Sequence, residues 1–365
     1  MTETTRSGVV RRRALLGLGA AGITAAGLAL KDPSDSVFLG QDATRLFGML
    51  ADERLTYAHL EGRAGRVDVY RPSGPGPFPV IVWNGGSGWL RDTGYEEGND
   101  VARGLVPAGY AVAAVSVRSS KRAVFPAQVV DLTEAVRWVR EHAGEFDLDP
   151  GRIAVGGSSS GGWNALMAGL TGGRDLDRAH PRPPGEEVPE GGHAIPPEDA
   201  VQAIVDFFGP VDFYSMRHQM PPGACEDLNR RQGLTQCHSD ENSTKSLMLG
   251  APILTRPDLV RLAAPRSHVT AQSPPTLVVH GLEDREVPWE QSRMLFDTLV
   301  AHGVRSAFYS VPGEGHDMGM VKRKDGQAQV KRNDVPRVAV HLRISWAAVA
   351  SFLDEVMPAA AAAAD

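Results

Sequence analysis

The sequence contains few cysteines and has no excess of basic residues. Cys225 and Cys237 are its only cysteines in 365 residues, and no histidine pattern accompanies their spacing, so the sequence gives no indication of a zinc site. The formal net charge is −6, which argues against nucleic acid as a partner. We also find no internal repeat. These absences remove zinc-binding, nucleic-acid-binding and repeat proteins from the first hypotheses.

The composition that remains is typical of a globular enzyme. Apolar residues make up 42% of the chain and charged residues 22%. The length allows one large domain or two of ordinary size. With 40 glycines and 26 prolines, we expect many tight turns and long ordered loops.

The first 30 residues differ in pattern from the rest. A polar stretch over 1–13 ends in Arg12-Arg13, and the uncharged stretch Ala14–Leu30 follows. This order predicts an export signal over 1–30, and it resembles the twin-arginine signal of bacterial export. A membrane anchor or a buried helix is the alternative, but 17 uncharged residues are fewer than the ~20 needed to span a bilayer. No cysteine follows the apolar stretch, so we do not expect a lipid anchor.

An exported protein enters an oxidising compartment, either the periplasm or the medium. There a disulfide between Cys225 and Cys237 is expected, with two free thiols as the alternative. Closing a loop of that length could contribute ~3 kcal/mol to the free energy of unfolding. We expect no stable membrane anchor once the signal has been removed.

Strand-like and helix-like segments alternate after residue 60. The predicted strands are Val67–Tyr70, Val80–Trp83, Tyr110–Val117, Ile153–Gly156, Val201–Phe208, Thr276–His280 and Ala307–Val311. The predicted helices are Ala127–His142, Trp163–Leu170, Glu290–His302 and Ile344–Val356. This alternation predicts an α/β fold, with a mostly parallel central sheet and helices on both faces.

Three stretches interrupt the alternation. Residues 171–200 are rich in Gly, Pro, Glu and His, residues 211–272 hold both cysteines, and residues 319–336 are dense in Lys, Arg and Asp. We interpret them as surface insertions that form a cap region near the strand ends. The predicted organisation is completed by an N-terminal extension over 31–60, a main domain over 61–357 and a disordered tail over 358–365.

The strongest chemical signal is the run from Gly157 to Gly161, between a predicted strand and a predicted helix. Ser159 is the serine with glycine both two residues before and two residues after it. A nucleophile on a sharp strand-to-helix turn adopts a strained backbone, and its neighbours must lack side chains so that the chains can pass. The pattern therefore predicts Ser159 as a nucleophile.

A serine nucleophile needs a base, and the base needs a carboxylate that orients it. His316 follows the last predicted strand in a Gly-rich loop, where ligand sites of α/β proteins collect. Asp284 follows the preceding strand and is the first candidate for the acid. Its competitors are Glu283, Glu286 and Asp212. The order Ser, acid, His is the order of the nucleophile-elbow motif.

Backbone amides are also needed to bind a developing oxyanion. The glycine-rich loop after the strand that ends at Trp83 offers the amides of Gly85, Gly86 or Ser87, and Ser160 offers another. Each such donor can be worth ~10²–10³ in rate. An ordinary Gly-rich turn is the alternative interpretation of this loop.

Taken together, these motifs resemble the α/β-hydrolase superfamily over about residues 64–317. The similarity is to its esterase branch, near BD-FAE-like feruloyl and acetyl-xylan esterases and hormone-sensitive-lipase-like enzymes, with features shared by prolyl-oligopeptidase-type peptidases. Phe125-Pro126 with Asp131, Asp149-Pro150 before Arg152, and the segment from Asp206 to Asp212 match family segments in order. The resemblance favours Asp284 as the acid and implies a structural role for Asp131. Asn84 departs from the family, which often has His there.

The resemblance implies a serine hydrolase that cleaves carboxylic esters through an acyl-enzyme on Ser159, and the predicted signal over 1–30 implies that it is exported. No metal or cofactor is expected, and the substrate would be a small-molecule or carbohydrate-linked ester. A peptidase or amidase with the same triad is one alternative, and a non-catalytic binding protein on a hydrolase fold is another. The sequence does not predict an oligomeric state.

Overall fold

A computed structural model describes residues 53–56, 62–174, 176, 195–323, 327–336 and 342–359. The predicted export signal over 1–30, most of the predicted extension over 31–60 and the end of the predicted tail lie outside the described residues. Most of the predicted insertion over 171–200 lies outside them too.

Over the described residues, the core is a nine-stranded sheet of order β1-β2-β4-β3-β5-β6-β7-β8-β9. Strands β3 to β8 run parallel, whereas β1, β2 and β9 pair antiparallel with their neighbours at the two edges. The strands are β1 Glu53–Thr56, β2 Arg66–Tyr70, β3 Phe78–Asn84, β4 Ala111–Val115, β5 Leu148–Ser158, β6 Ala203–Phe207, β7 Thr276–Gly281, β8 Ser306–Val311 and β9 Gln329–Asn333.

Side-chain alternation along the central strands separates two apolar cores. In β3, Val80 and Val82 pack into the core on one face of the sheet, and Ile81 and Trp83 pack into the core on the other. Successive strand residues point to opposite faces, so a strand covered on both faces reads as a continuous apolar run. Full burial of one such side chain contributes about 1.5–3 kcal/mol. The predicted α/β fold is confirmed.

Helices cover both faces of this sheet. The described α-helices are α1 Gly98–Leu105, α2 Ala127–Glu141, α3 Ser160–Thr171, α4 Phe213–Gln219, α5 Ala224–Gln232, α6 Thr244–Leu249, α7 Pro257–Leu262, α8 Glu290–Ala301 and α9 Trp346–Val356. Buried residues of α2, α3 and α8 join the core that contains Val80, and those of α1 and α9 join the core that contains Ile81. None of the helices in the described ranges is long and apolar enough to cross a membrane.

Two of the predicted insertions differ from surface loops. Residues 211–272 form α4 to α7, and Phe213, Met248 and Ile253 of this segment are buried in the main core. Within 319–336, Gln329–Asn333 is the edge strand β9, paired antiparallel with β8. Its side chains are exposed or half-buried and include Lys and Arg, as is typical of an edge strand. Because this strand has no alternation of apolar and polar residues, the sequence pattern does not predict it.

The predicted disulfide between Cys225 and Cys237 is present. It joins α5 to a short 3₁₀ turn, Cys237–Ser239, that leads towards α6.

Candidate active site

The turn between β5 and α3 holds Ser159 in a strained conformation. Its φ and ψ are 53° and −123°, a left-handed region that a residue with a side chain rarely adopts. The turn is held by hydrogen bonds from Ser159 N–H to Phe207 O at 2.8 Å and from Trp163 N–H to Ser159 O at 3.0 Å. A Cβ atom at Gly157 or Gly161 would overlap the carbonyl oxygen of Asn84, which explains the flanking glycines.

Ser159, His316 and Asp284 form a continuous hydrogen-bonded series. The Ser159 hydroxyl lies 2.8 Å from His316 Nε2, and His316 Nδ1 lies 2.6 Å from Asp284 Oδ2. The three residues follow β5, β8 and β7, whose carboxyl ends meet at one edge of the parallel sheet. Sequence positions as far apart as 159 and 316 are brought into contact by the strand order.

Asp284 is buried and held in place from several sides. Its Oδ1 accepts hydrogen bonds from the Glu286 N–H at 2.7 Å and the Val287 N–H at 2.9 Å. Burial by itself would raise the pKa of Asp284, but hydrogen bonds from His280 and His316 outweigh it and hold the pKa below its usual range. The carboxylate is therefore charged and can stabilise a protonated His316.

The other candidate acids have different partners. Asp212 caps α4 and accepts hydrogen bonds from Tyr214 N–H and Ser215 N–H. Glu283 is exposed, and Glu286 forms an ion pair with Arg231 at 2.6 Å. Asp284 is the one of the four whose carboxylate contacts His316.

The predicted oxyanion donors differ in their surroundings and in their hydrogen-bond partners. The Gly85 N–H donates to the Gly94 carbonyl at 2.8 Å, an acceptor outside the turn that carries Ser159. Gly86 lies against the nucleophile, because a Cβ atom there would be 2.9 Å from Ser159 Cβ. Ser160 is the first residue of α3, so its N–H has no acceptor within the helix.

The amides of Gly86 and Ser87 attach the glycine loop to the turn that carries the nucleophile. Gly86 N–H donates to Ser158 Oγ and Ser87 N–H donates to Ser160 Oγ, each at 2.9 Å. The hydroxyls on both sides of Ser159 thus hold these donors next to the nucleophile. An oxyanion would have to share or replace these acceptors.

Asn84 fixes the start of the same loop. Its Nδ2 donates to the Val115 carbonyl at 2.9 Å, and its Oδ1 accepts from Asn164 Nδ2 on α3 at 2.7 Å. The side chain therefore ties the glycine loop to β4 and to the helix behind the nucleophile. This gives the departure from the family's His a structural role.

The comparison with known families agrees with this geometry. The model of the BD-FAE family matches residues 67–299, which include the glycine loop, Ser159 and Asp284. The chain belongs to the BD-FAE family. Its fold is the α/β-hydrolase fold, and the predicted resemblance to the esterase branch is confirmed.

Relatives of this BD-FAE family member are named as ester hydrolases. The probable carboxylic ester hydrolase LipM of Mycobacterium tuberculosis is 28% identical over 65% of this chain and 49% of its own length, and the esterase LipC of that organism is 26% identical over 67% and 54%. The chain spans about half the length of these relatives. A truncated carbohydrate esterase from gut microbiota has a TM-score of 0.58 and 27% identity, covering 73% of this chain and 90% of that one.

A cavity of about 720 Å³ opens beside Ser159 in this BD-FAE protein. Ser159 and His316 line it together with Gly86, Phe208 and Lys245. Its size falls within the range of small-molecule sites. The described residues contain no cluster of histidine, cysteine and acidic side chains that could hold a metal ion.

Two further polar residues, which the sequence does not predict as site residues, contact the site. His280 Nε2 lies 3.1 Å from Asp284 Oδ2, and His280 Nδ1 lies 2.6 Å from Ser292 Oγ. The spacing of four residues between His280 and Asp284, at the end of a strand, was the available signal.

Glu97 is the second missed residue, and no sequence pattern marks it. Its carboxyl group lies 2.8 Å from Ser158 Oγ and accepts from Trp83 Nε1 at 3.1 Å and from Gly86 N–H at 3.2 Å. Burial raises the pKa of Glu97 above its usual value, although these hydrogen bonds act in the opposite direction. Through its hydrogen bonds, Glu97 connects the glycine loop to the turn that carries Ser159.

Proposed function

We propose that this protein is a serine hydrolase that cleaves carboxylic esters through an acyl-enzyme on Ser159. The observation that carries the proposal is the hydrogen-bonded series of Ser159, His316 and Asp284 at the edge of a substrate-sized cavity. The names of the relatives, carboxylic ester hydrolase and esterase, support the choice of ester.

The proposed chemistry uses protein groups alone. His316 Nε2 takes the proton as Ser159 Oγ attacks the ester carbonyl, and Asp284 stabilises the resulting imidazolium. The amides of Ser160, Gly86 and Ser87 are the proposed donors to the oxyanion. His316 then protonates the leaving alcohol, and water attacks the acyl-enzyme with His316 again acting as base.

Fluorophosphonate labelling tests this proposal. We expect the purified protein to form an adduct that mass spectrometry assigns to Ser159, and we expect the Ser159→Ala variant to remain unlabelled and to lose ~10⁶ in kcat on p-nitrophenyl esters. Equal circular dichroism spectra and unfolding midpoints would show that the variant is folded. If the folded wild-type protein forms no adduct, the proposal is wrong and a binding function takes its place.

The triad chemistry by itself does not separate esters from amides. Matched p-nitrophenyl esters and aminoacyl anilides make the comparison, and we expect hydrolysis of the esters. A carbohydrate-linked ester is a candidate substrate, supported by the structural neighbour named as a carbohydrate esterase at 27% identity. Preference for the anilides would favour a peptidase or amidase.

The proposal includes export through the twin-arginine route, to the periplasm or the medium. The order of arginines and apolar residues within 1–30 supports it, and so does the disulfide between Cys225 and Cys237, since disulfides persist in oxidising compartments.

A further inference from the structure

A buried lysine lines the same cavity as the nucleophile. Lys245 belongs to α6 and is 8% exposed, and it shares the cavity wall with Ser159 and His316. Lysine is almost never buried to this degree without a partner, because removing an ammonium group from water is costly. The triad chemistry assigns no task to this side chain.

Among the described residues, Lys245 has one direct hydrogen-bond partner, and that partner is neutral. Lys245 Nζ donates to His238 Nδ1 at 3.0 Å, and His238 is itself 1% exposed. Burial, followed by the nearby Lys245, lowers the pKa of His238 well below its usual value, so the imidazole accepts the hydrogen bond without adding charge. An ammonium has three N–H groups, which leaves two for another acceptor.

The neighbouring carboxylates are engaged elsewhere. Glu286 pairs with Arg231 at 2.6 Å, Asp284 serves the two histidines, and at the cavity rim Asp100 pairs with Lys322 at 3.0 Å. Over the part of the chain that the structure describes, no carboxylate oxygen lies within 4.0 Å of Lys245 Nζ. Burial lowers the pKa of Lys245 to about 8, opposed by Glu286 and Asp284, so the group is charged at neutral pH.

The segment that carries both residues is held firmly. Asp240 accepts hydrogen bonds from Thr235 N–H at 2.7 Å and from Asn242 N–H at 2.9 Å, and Ser243 caps α6 through the Ser246 N–H. The disulfide at Cys237 adjoins His238. A cation that is positioned before binding needs less reorganisation to recognise a ligand.

We propose that Lys245, positioned by His238, selects esters that carry a carboxylate in their acyl or alcohol part. This inference rests on the proposed esterase function, because it names the substrate class of that site. The carboxylate would accept the two remaining N–H groups of Lys245 and replace the water lost on burial. Lys245 is thus a specificity-determining residue.

Two matched ester pairs test the inference and locate the carboxylate. Mono-p-nitrophenyl glutarate and its neutral methyl ester place the charge in the acyl part. The acetyl ester of 3-hydroxybenzoate and phenyl acetate place it in the alcohol part. In at least one pair we expect the wild-type kcat/KM to favour the charged ester by about 10–100-fold, the size of a charge-assisted hydrogen bond.

The variant Lys245→Met should reduce the ratio of kcat/KM for the charged ester to kcat/KM for the neutral ester to about 1, since it removes the charge and keeps the length. Lys245→Gln repeats the test if the Met variant does not fold, and Lys331→Met on exposed β9 makes the same net-charge change outside the cavity. Equal losses on charged and neutral esters, or a wild-type enzyme without preference in either pair, would overturn the inference.

Fluorophosphonate labelling distinguishes a failure of the inference about Lys245 from a failure of the esterase proposal. If Ser159 is labelled but the carboxylate preference is absent, the inference about Lys245 is wrong and the esterase proposal stands. If folded wild-type protein is not labelled, the esterase proposal is wrong and the inference is overturned with it.

Discussion

At the scale of single residues, the site depends on groups that would be unfavourable elsewhere. Ser159 occupies a strained left-handed conformation, Asp284 and Lys245 are buried ionisable groups, and Glu97 is a half-buried one. Strain of this kind costs of order 1–3 kcal/mol and persists only where the surroundings determine it. In this protein, hydrogen bonds from backbone amides and from neighbouring side chains hold these groups in place.

Asp206 is a further buried ionisable residue, although it is not part of the triad. It lies in β6, with Oδ1 accepting from the Gly209 N–H at 3.0 Å, and its buried Oδ2 has no hydrogen-bond partner among the residues described. Burial raises the pKa of Asp206 to about 7, against the opposite effects of His280 and the Gly209 amide. The folded protein therefore retains a proton that the unfolded chain releases near pH 4.

This shift predicts how stability depends on pH. Because the folded-state pKa is raised, the contribution of Asp206 is complete below the unfolded value and is lost as pH rises through about 7. Relative to Asp206→Asn, the wild-type free energy of unfolding should fall by about 2–3 kcal/mol between pH 5 and 8. Urea unfolding measures it, with Asp297→Asn at an exposed position of α8 as control. A constant difference between wild type and Asp206→Asn would contradict the prediction.

At the scale of elements, the segment around α5 has little apolar support of its own. Its satellite core contains three buried residues, Leu228, Leu234 and Cys237. The disulfide between Cys225 and Cys237 spans a sequence separation of 12 and links α5 to the turn that carries His238. A covalent link thus replaces packing in the part of the molecule that forms one wall of the cavity.

We expect removal of this disulfide to destabilise the protein. The double variant Cys225→Ser with Cys237→Ser should lose about 2–4 kcal/mol in the free energy of unfolding, measured by urea denaturation. Wild-type protein treated with reductant is the matched control and should give the same midpoint as the double variant. Identical midpoints for oxidised and reduced wild type would show that the link contributes nothing.

At the scale of the whole molecule, the predicted export signal agrees with the disulfide, because disulfides persist in the compartments to which export leads. A reporter fused after residues 1–40 should leave the cytoplasm of a bacterium that has a twin-arginine translocase, and Arg12→Lys with Arg13→Lys should strongly reduce its export. Cell fractionation measures the distribution, and a strain without the translocase is the control. A reporter that stays in the cytoplasm of the competent strain would disprove the predicted signal.

The sequence by itself determined the features that depend on local order. Apolar runs and helical spacing predicted the central strands and the main helices, since side-chain periodicity is a property of neighbouring residues. The glycines two residues on either side of Ser159 distinguished this serine from its neighbours, because close backbone contacts there exclude a Cβ. Strand β9 and the helices of 211–272 were missed, because an edge strand needs no apolar alternation and short helices packed by tertiary contacts show weak periodicity.

Only the tertiary structure decided which polar groups meet. It placed the carboxylate of Asp284, rather than those of Glu283, Glu286 and Asp212, against His316, and it paired the Gly85 N–H with the Gly94 carbonyl. It also brought Glu97, His280 and Lys245 to the site from separate parts of the chain. Hydrogen-bond partners are set by strand order and burial. Residues many positions apart in the chain have no local sequence pattern from which their contact could be predicted.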